Sequence, residues 1–436
     1  MIPSNGGAAA GLVARSTAVG LAIVLVIGFY VRLRPVVGLD FPLNDGGLFF
    51  LMTEELRQAH YALPAFTSYN GGQIPFAYPP LAFYLAGLIA DVTGASLVDV
   101  VRLLPAVVSA LTVPAFYLLS RAVLGSAAQG TLATLAFALL PRTFKWFVMG
   151  GGLTRAPGFL FAILMLHQAY LLYARRDARF VVSTAAFGSL AVLSHLENSW
   201  FAVYSGGLLF LFFGRGRRGL AHSLLVVAGV LVLTAPWWGI VVAEHGVTPF
   251  LSAAQGGGYA GNFSWGPIKR LNFTDEPQLT LFGVLGVLGA FVCIAQRQWF
   301  LPIWLAAIFF VNPRNPQTVA AVPLAMLVGV ALGRLIVPGI VQAGPTRSIA
   351  VSDGRRRWTW GGPLLTAERR GVLGSLLASA LLLAFVAAYA LVPNRNWLRW
   401  DDTTWALSPD EREAMRWIDA NTPRSSTVLV MAFAPT

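Results

Sequence analysis

The stretch LDFPLNDGGLFFLMTEEL, residues 39–56, sets two aspartates and two glutamates directly after the first long apolar run of the chain. That run, residues 16–37, is long enough to cross a bilayer, which takes roughly 20 apolar residues. A carboxylate at Asp45 therefore stands at the level of the lipid headgroups. Gly46 and Gly47 follow it. Leu48, Leu51, Met52, Glu55 and Leu56 then fall on helical spacing, which predicts an amphipathic helix lying on the membrane surface. Asp is also a preferred helix N-cap. Residue type alone leaves Asp45 two roles: cap of that helix, or a base at the membrane surface.

Composition sets the class. The 436 residues are 56% hydrophobic and 11% charged, where a soluble domain carries about 25% charged residues. This is the composition of an integral membrane protein. Apolar runs predict eleven spans, near 16–37, 99–122, 126–141, 156–174, 180–194, 199–213, 219–241, 279–295, 298–311, 317–337 and 371–392. The net charge of +12 would point to nucleic acid in a soluble protein. Here the basic residues occupy short loops between apolar runs, the pattern of topology signals, so nucleic acid is not an expected partner. Cys293 is the one cysteine. It excludes an intrachain disulfide and reads as a small core or lipid-facing residue. The N-terminal run lacks a clear small-residue cleavage site and reads as a retained first span.

The basic loops 174–179, 214–219, 296–298 and 338–370 follow even-numbered spans, which makes those ends cytoplasmic. Loops 38–98, 142–155, 195–198, 242–278 and 312–316 and the C-terminal tail are then outside. Arg32 and Arg34, at the outer end of the first span, run against this assignment. The run YPPLAFYLAGLIADVTG (78–94) is short and opens with Pro79 and Pro80, so it reads as an interfacial helix and not a span. Spans 180–194 and 199–213 are separated only by HLEN, a tight helical hairpin. The polytopic domain is thus 1–392. Residues 393–436 read as the start of an extracytoplasmic α/β domain cut short at Thr436. Its helix opens with Ser408 at the N-cap, Pro409 at N1 and Glu411 at N3, with Met415 and Ile418 spaced for one buried face. STVLVMAFA (426–434) reads as a strand.

The chain has no internal repeat, Walker loop, GxGxxG after a strand, CxxC or HExxH. GGG at 150–152 and 256–258 reads as flexible or close-approach backbone. A transporter or flippase usually shows an inverted repeat and broken helices at mid-membrane. Here the ionisable residues cluster at one face.

The order of features resembles a known family. An apolar span comes first, then LNDGGLFF, an interfacial helix, YPPLAFYLAGL, and LVDVVRLLPAVVSALTVPAFYLLSRAVLG. This is similar to the N-terminal module of the GT-C glycosyltransferases across residues 16–215. These polytopic enzymes use polyprenyl-phosphate sugars and include protein mannosyltransferases, aminoarabinose transferases and oligosaccharyltransferase catalytic subunits. The resemblance implies an all-α GT-C bundle in the cell membrane with its active site facing outward. It implies sugar transfer from a polyprenyl-phosphate donor to a lipid, glycan or protein hydroxyl, with inversion. A lipid-linked oligosaccharide transferase or ligase is the alternative enzyme, and a flippase the alternative outside catalysis.

In that family the first-loop Asp meets the acceptor as base, or binds a metal. On this sequence it is Asp45, with Asp40 as the fallback. The departing phosphate needs cations, and PRTFKWFVMGGGLTRAPG (141–158) supplies Arg142, Lys145 and Arg155. External loops of a positive-inside protein are usually poor in such residues; headgroup anchoring beside Phe144 and Trp146 is the plainer reading. Oligosaccharyltransferase subunits carry a DxD-type motif here. GGGLTRA replaces it, which counts against a metal requirement and favours a monosaccharide transferase. If a divalent metal such as Mg or Mn is used, Asp45 and Glu197 are its ligands; no nucleotide cofactor is implied. His195 and Glu197 in SHLENSWF sit at the membrane boundary, where ionisable residues are candidates for substrate contacts. They also suit capping roles in a turn. Tyr259, Trp265, Lys269 and Arg270 populate a glycine-rich loop that suits closure over a substrate. Arg314, between two prolines, is a candidate partner for lipid phosphate.

Overall fold

The structure, a computed structural model, describes residues 6–37, 43–256, 280–312, 316–338 and 409–423, with 380, 384, 388 and 426 as isolated positions. Its helices are α1 (Gly6–Leu33), α2 (Gly46–Gln58), α3 (Leu81–Thr93), α4 (Leu97–Leu124), α5 (Ala127–Leu139), α6 (Lys145–Val148), α7 (Gly152–Arg175), α8 (Phe180–Val192), α9 (Leu196–Phe213), α10 (Arg217–His245), α11 (Thr248–Gly256), α12 (Leu281–Ala295), α13 (Phe300–Val311), α14 (Pro316–Ala331) and α15 (Pro409–Asn421). Among the described residues, five helices are long and apolar enough to cross a membrane: α1, from Ala14 on, α4, α7, α10 and α14, extended to Ile336. The shorter α5, α8, α9, α12 and α13 stand at the other expected span positions. The eleventh, 371–392, lies outside the described residues apart from isolated positions. The chain is a multi-pass membrane protein.

Local signals start the helices where the sequence places them. Ser96 caps α4 by accepting from the Asp99 N–H, Ser126 does the same for α5 from Gln129, and Thr280 for α12 from Gly283. The bundle core is built by α1, α4, α5 and α7 packing on one another, with α14 against α5 and α12. α14 is buried on nearly every side, as a helix apolar all round must be. An aromatic column runs through this core. Phe116 of α4 stacks on Phe137 of α5 at 4.2 Å, Phe137 on Phe159 of α7 at 6.2 Å, and Phe159 on Phe147 of α6 at 4.7 Å. It seats α6, and the loop around it, on the end of the bundle.

Arg32, the basic residue at the end of the first span, points into the bundle. It is fully buried. Its guanidinium donates to the Ala138 carbonyl at 2.9 Å, the Gly28 carbonyl at 3.2 Å and the Thr143 hydroxyl at 2.9 Å. It also lies over the rings of Phe144 and Phe137. This side chain is a tie between α1 and the end of α5.

A second, smaller core lies beside the bundle. Phe49, Met52 and Leu56 of α2 pack with Phe83, Ala86 and Ala90 of α3 and with Val100 and Val101 of α4. The buried face of α2 is thus Phe49, Met52, Thr53 and Leu56. That is a rotation from the expected face, and it follows the aromatic partners: Phe49 meets Tyr78 at 5.0 Å and Phe83 at 5.4 Å. α3 is no longer than α5 or α8, but it packs on α2 and α4 in this layer. Asp91 of α3 clamps the pair, accepting from Arg57 Nε at 3.0 Å and from the Tyr61 hydroxyl at 2.5 Å.

A short antiparallel hairpin, β1 (Phe66–Thr67) and β2 (Ile74–Pro75), sets Phe66 opposite Pro75 and Thr67 opposite Ile74. Glu55 of α2 accepts from the Ser68 N–H at 2.8 Å and its hydroxyl at 2.6 Å. His245, at the end of α10, donates to the Ala65 carbonyl at 2.7 Å. The hairpin is therefore pinned from both sides. In α15, Met415 and Trp417 are exposed and Ile418 half-buried. The face expected to be buried is open among the described residues, since no described element covers it; the strand at 426–434 lies outside them.

Candidate active site

The loops before α2 and before α7 are laced together by their backbones. The Leu43 carbonyl accepts from the Gly150 N–H at 2.9 Å and the Asn44 carbonyl from the Gly151 N–H at 2.5 Å. Asn44 Nδ2 reaches the Met149 sulfur at 3.3 Å. A Cβ at Gly150 would collide with the backbone of Gly46 and Leu43. The GGG at 150–152 is close-approach backbone.

Asn44 and Asp45 take the left-handed conformation, with φ of 58° and 65°, a region Asn and Asp enter more readily than other residues with a Cβ. The consequence is chemical. Asp45 holds the N-cap position of α2, yet its side chain makes no capping hydrogen bond. The carboxylate is 48% exposed and faces Arg155, whose Nη2 is 3.4 Å from Asp45 Oδ2.

Arg155 belongs to the first turn of α7. Its carbonyl accepts from Asn198 Nδ2 of α9 at 2.9 Å. Its guanidinium lies over the Trp146 ring, 5.8 Å from the centroid, and that of Arg142 over the same ring at 5.9 Å. Such cation–π seats hold a guanidinium in place without neutralising it. Lys145 is half-buried on α6 of the same loop.

Tyr78 joins this pair to a cavity. Its hydroxyl accepts from Thr154 Oγ1 at 3.4 Å. Burial pushes the phenol up, the Thr154 hydrogen bond and the Arg155 charge oppose that, and the charges of Asp45 and Glu197 add to it. The net direction is upward, so Tyr78 is a proton-bearing hydrogen-bond donor at neutral pH. Its ring centroid is 6.4 Å from that of His195. The cavity, of about 840 Å³, is lined mainly by apolar side chains such as Leu48, Met52, Trp200 and Phe250. Among the described residues, Tyr78, His195 and Glu197 are its ionisable lining residues. The turn between α8 and α9 is held to α3 by the Leu81 N–H, which donates to the Leu193 carbonyl at 2.9 Å. His195 is the N-cap of α9 and Glu197 stands in its first turn.

The sequence matches the family described as dolichyl-phosphate-mannose-protein mannosyltransferase over residues 77–240, less than half of the chain. No curated protein sequence matches it. Among solved structures it is similar to the archaeal oligosaccharyltransferase AglB from Archaeoglobus fulgidus, in complex with an inhibitory peptide and a dolichol-phosphate. The TM-score is 0.60 at 17% identity, over 94% of this chain and 58% of that one. ArnT from Cupriavidus metallidurans, bound to undecaprenyl phosphate, gives 0.53 at 18% identity, over 94% and 81%. The arabinofuranosyltransferase AftD from Mycobacteria gives 0.52 at 15% identity, over 93% and 28%. The chain has the GT-C fold of the membrane glycosyltransferases. It spans less than two thirds of the length of the archaeal enzyme.

Within this GT-C fold, Asp45 and Arg155 meet directly, and Arg142 shares Trp146 with Arg155. His195 and Glu197 line the cavity that reaches Tyr78. Asp40 and Arg314 lie outside the described residues, as do Tyr259, Trp265, Lys269 and Arg270. Sequence reading missed Tyr78, whose only signal was an aromatic hydroxyl ahead of two prolines. Among the described residues no group of three or more His, Cys, Asp or Glu is placed to hold a metal ion. The group paired with Asp45 is a guanidinium, which repels a cation.

Proposed function

We propose that the chain moves a sugar from a polyprenyl-phosphate-linked donor to a hydroxyl acceptor on the extracytoplasmic face of the membrane, with inversion. The observation that supports this most is the pairing of Asp45 with Arg155, linked through Tyr78 to an apolar cavity. An isoprenoid chain suits the cavity, and its phosphate suits the cations. ArnT with undecaprenyl phosphate and AglB with dolichol-phosphate support a lipid-phosphate donor.

In this reading the acceptor hydroxyl attacks the anomeric carbon on the face opposite the phosphate. The bond from that carbon to the phosphate oxygen breaks, through an oxocarbenium-like transition state. Asp45 takes the hydroxyl proton. The polyprenyl phosphate leaves with one more negative charge, met by Arg155, with Arg142, Lys145 and Arg314 as further contacts. Tyr78 donates a hydrogen bond to the departing phosphate. Glu197 and His195 orient the acceptor hydroxyl. The replacement of a DxD motif by GGGLTRA favours a monosaccharide donor.

The test is transfer by the chain in liposomes, given labelled polyprenyl-phosphate mannose, glucose or arabinose and total membrane acceptors. Transfer from one of these donors is expected. Labelled lipid crossing the bilayer with no transfer would replace this reading with that of a flippase.

A further inference from the structure

We infer that the guanidinium of Arg155 holds the place of a divalent cation beside Asp45, so that the reaction of this chain needs no metal. The site is shaped for this pair. Asp45 Oδ2 and Arg155 Nη1 each lie 2.9 Å from where a Cβ on Gly151 would stand. Two groups, one from the loop before α2 and one from the first turn of α7, therefore converge on one bare Cα, and a residue with a side chain there would push them apart.

Arg155 is also fixed in ways a solvated surface arginine is not. Trp146 supports its guanidinium face, Asn198 holds its carbonyl, and Asp45 takes one nitrogen. A guanidinium has five N–H donors in a planar fork and a permanent charge. With Nη2 directed to Asp45, it keeps donors for a phosphate oxygen. It can bridge carboxylate and phosphate as a metal ion does when it stabilises a leaving oxygen. Arg142, on the same Trp146 ring, adds a second positive charge. A divalent ion demands several oxygen ligands, usually carboxylates. The described residues gather no such set.

The catalytic half of this inference rests on the proposed transfer reaction; the metal-binding half does not. Two arms separate them. In the first, the full chain in detergent is stripped with EDTA and titrated with Mn2+, bound ion being read by electron paramagnetic resonance. Wild type, Asp45→Asn and Asp45→Ser should bind the ion alike, with no site that depends on Asp45. A stoichiometric Mn2+ site in wild type that both variants lose, at unchanged thermal midpoint, overturns the inference. In the second arm, transfer in EDTA should equal transfer with millimolar Mg2+ or Mn2+. Arg155→Gln should fall about 10²-fold, with partial recovery on adding free guanidinium, and Arg155→Lys should fall less. Wild-type activity lost in EDTA and restored by Mn2+ overturns the inference and leaves the transferase reading standing. No transfer from any donor overturns that reading instead, and the Mn2+ arm alone then decides the inference.

Discussion

The carboxylate of Asp45 lies 3.4 Å from the guanidinium of Arg155, 110 positions further along the chain. Backbone makes this contact before the side chains do, through the Leu43–Gly150 and Asn44–Gly151 hydrogen bonds. The left-handed turn at Asn44 and Asp45 then releases the carboxylate from capping duty.

The two glycines of this crossing should respond differently to alanine. At Gly151 the atoms nearest the new Cβ are the ends of Asp45 and Arg155, and the backbone is right-handed, with φ −62°. Gly151→Ala should leave the thermal midpoint nearly unchanged. Because it displaces the reacting groups, transfer should fall about 10²-fold. At Gly150 the Cβ meets backbone, so Gly150→Ala should cost about 1–3 kcal/mol of stability. Paired thermal-shift and transfer assays would show both.

Tyr78→Phe keeps the ring against Phe49 and Phe83 and deletes only the hydroxyl. Transfer should drop about tenfold, the worth of one hydrogen bond of roughly 1.4 kcal/mol, at an unchanged thermal midpoint. A variant that transfers as wild type does would remove Tyr78 from the site.

Arg32→Lys should lower stability by about 2 kcal/mol or more, since one ammonium cannot serve two carbonyls and the Thr143 hydroxyl in the fork geometry of a guanidinium. Unfolding in detergent would measure it. A neutral result would mean that the tie between α1 and α5 contributes nothing.

Glu55 links the hairpin to pH. Burial alone raises its carboxyl, but the hydrogen bonds from the Ser68 hydroxyl and the Ser68 N–H outweigh burial, and the net direction is down. A depressed carboxyl contributes stability that is complete above its unfolded value of about 4.3 and is lost as pH falls through the folded value. Hydrogen exchange in residues 66–75 should therefore be faster in Glu55→Gln than in wild type at neutral pH. The difference should vanish in acid, once wild-type Glu55 is protonated.

The parts of this site differ in how far the sequence discloses them. Asp45 is legible because a carboxylate directly after an apolar span has few places to be. The hairpin of α8 and α9 is legible because only four residues separate two apolar runs. The face of α2 is not, because Phe49 turns inward to meet Tyr78 and Phe83, partners that no periodicity names. Arg32 is legible only as an anomaly, since burial among carbonyls and a hydroxyl leaves no local pattern. The meeting of Asp45 with Arg155 depends on two backbones crossing at Gly150 and Gly151. The glycines mark a close approach without saying to what.

The role of Asp45 as base is tested most directly by a side-by-side transfer assay of wild type, Asp45→Glu and Asp45→Asn in liposomes with a polyprenyl-phosphate sugar donor that wild type accepts. Loss of a general base costs about 10²–10⁴-fold. A fall of that size is expected in Asp45→Asn, at equal expression and thermal midpoint, with Asp45→Glu retaining part of the rate. Transfer in Asp45→Asn at the wild-type rate would contradict that role.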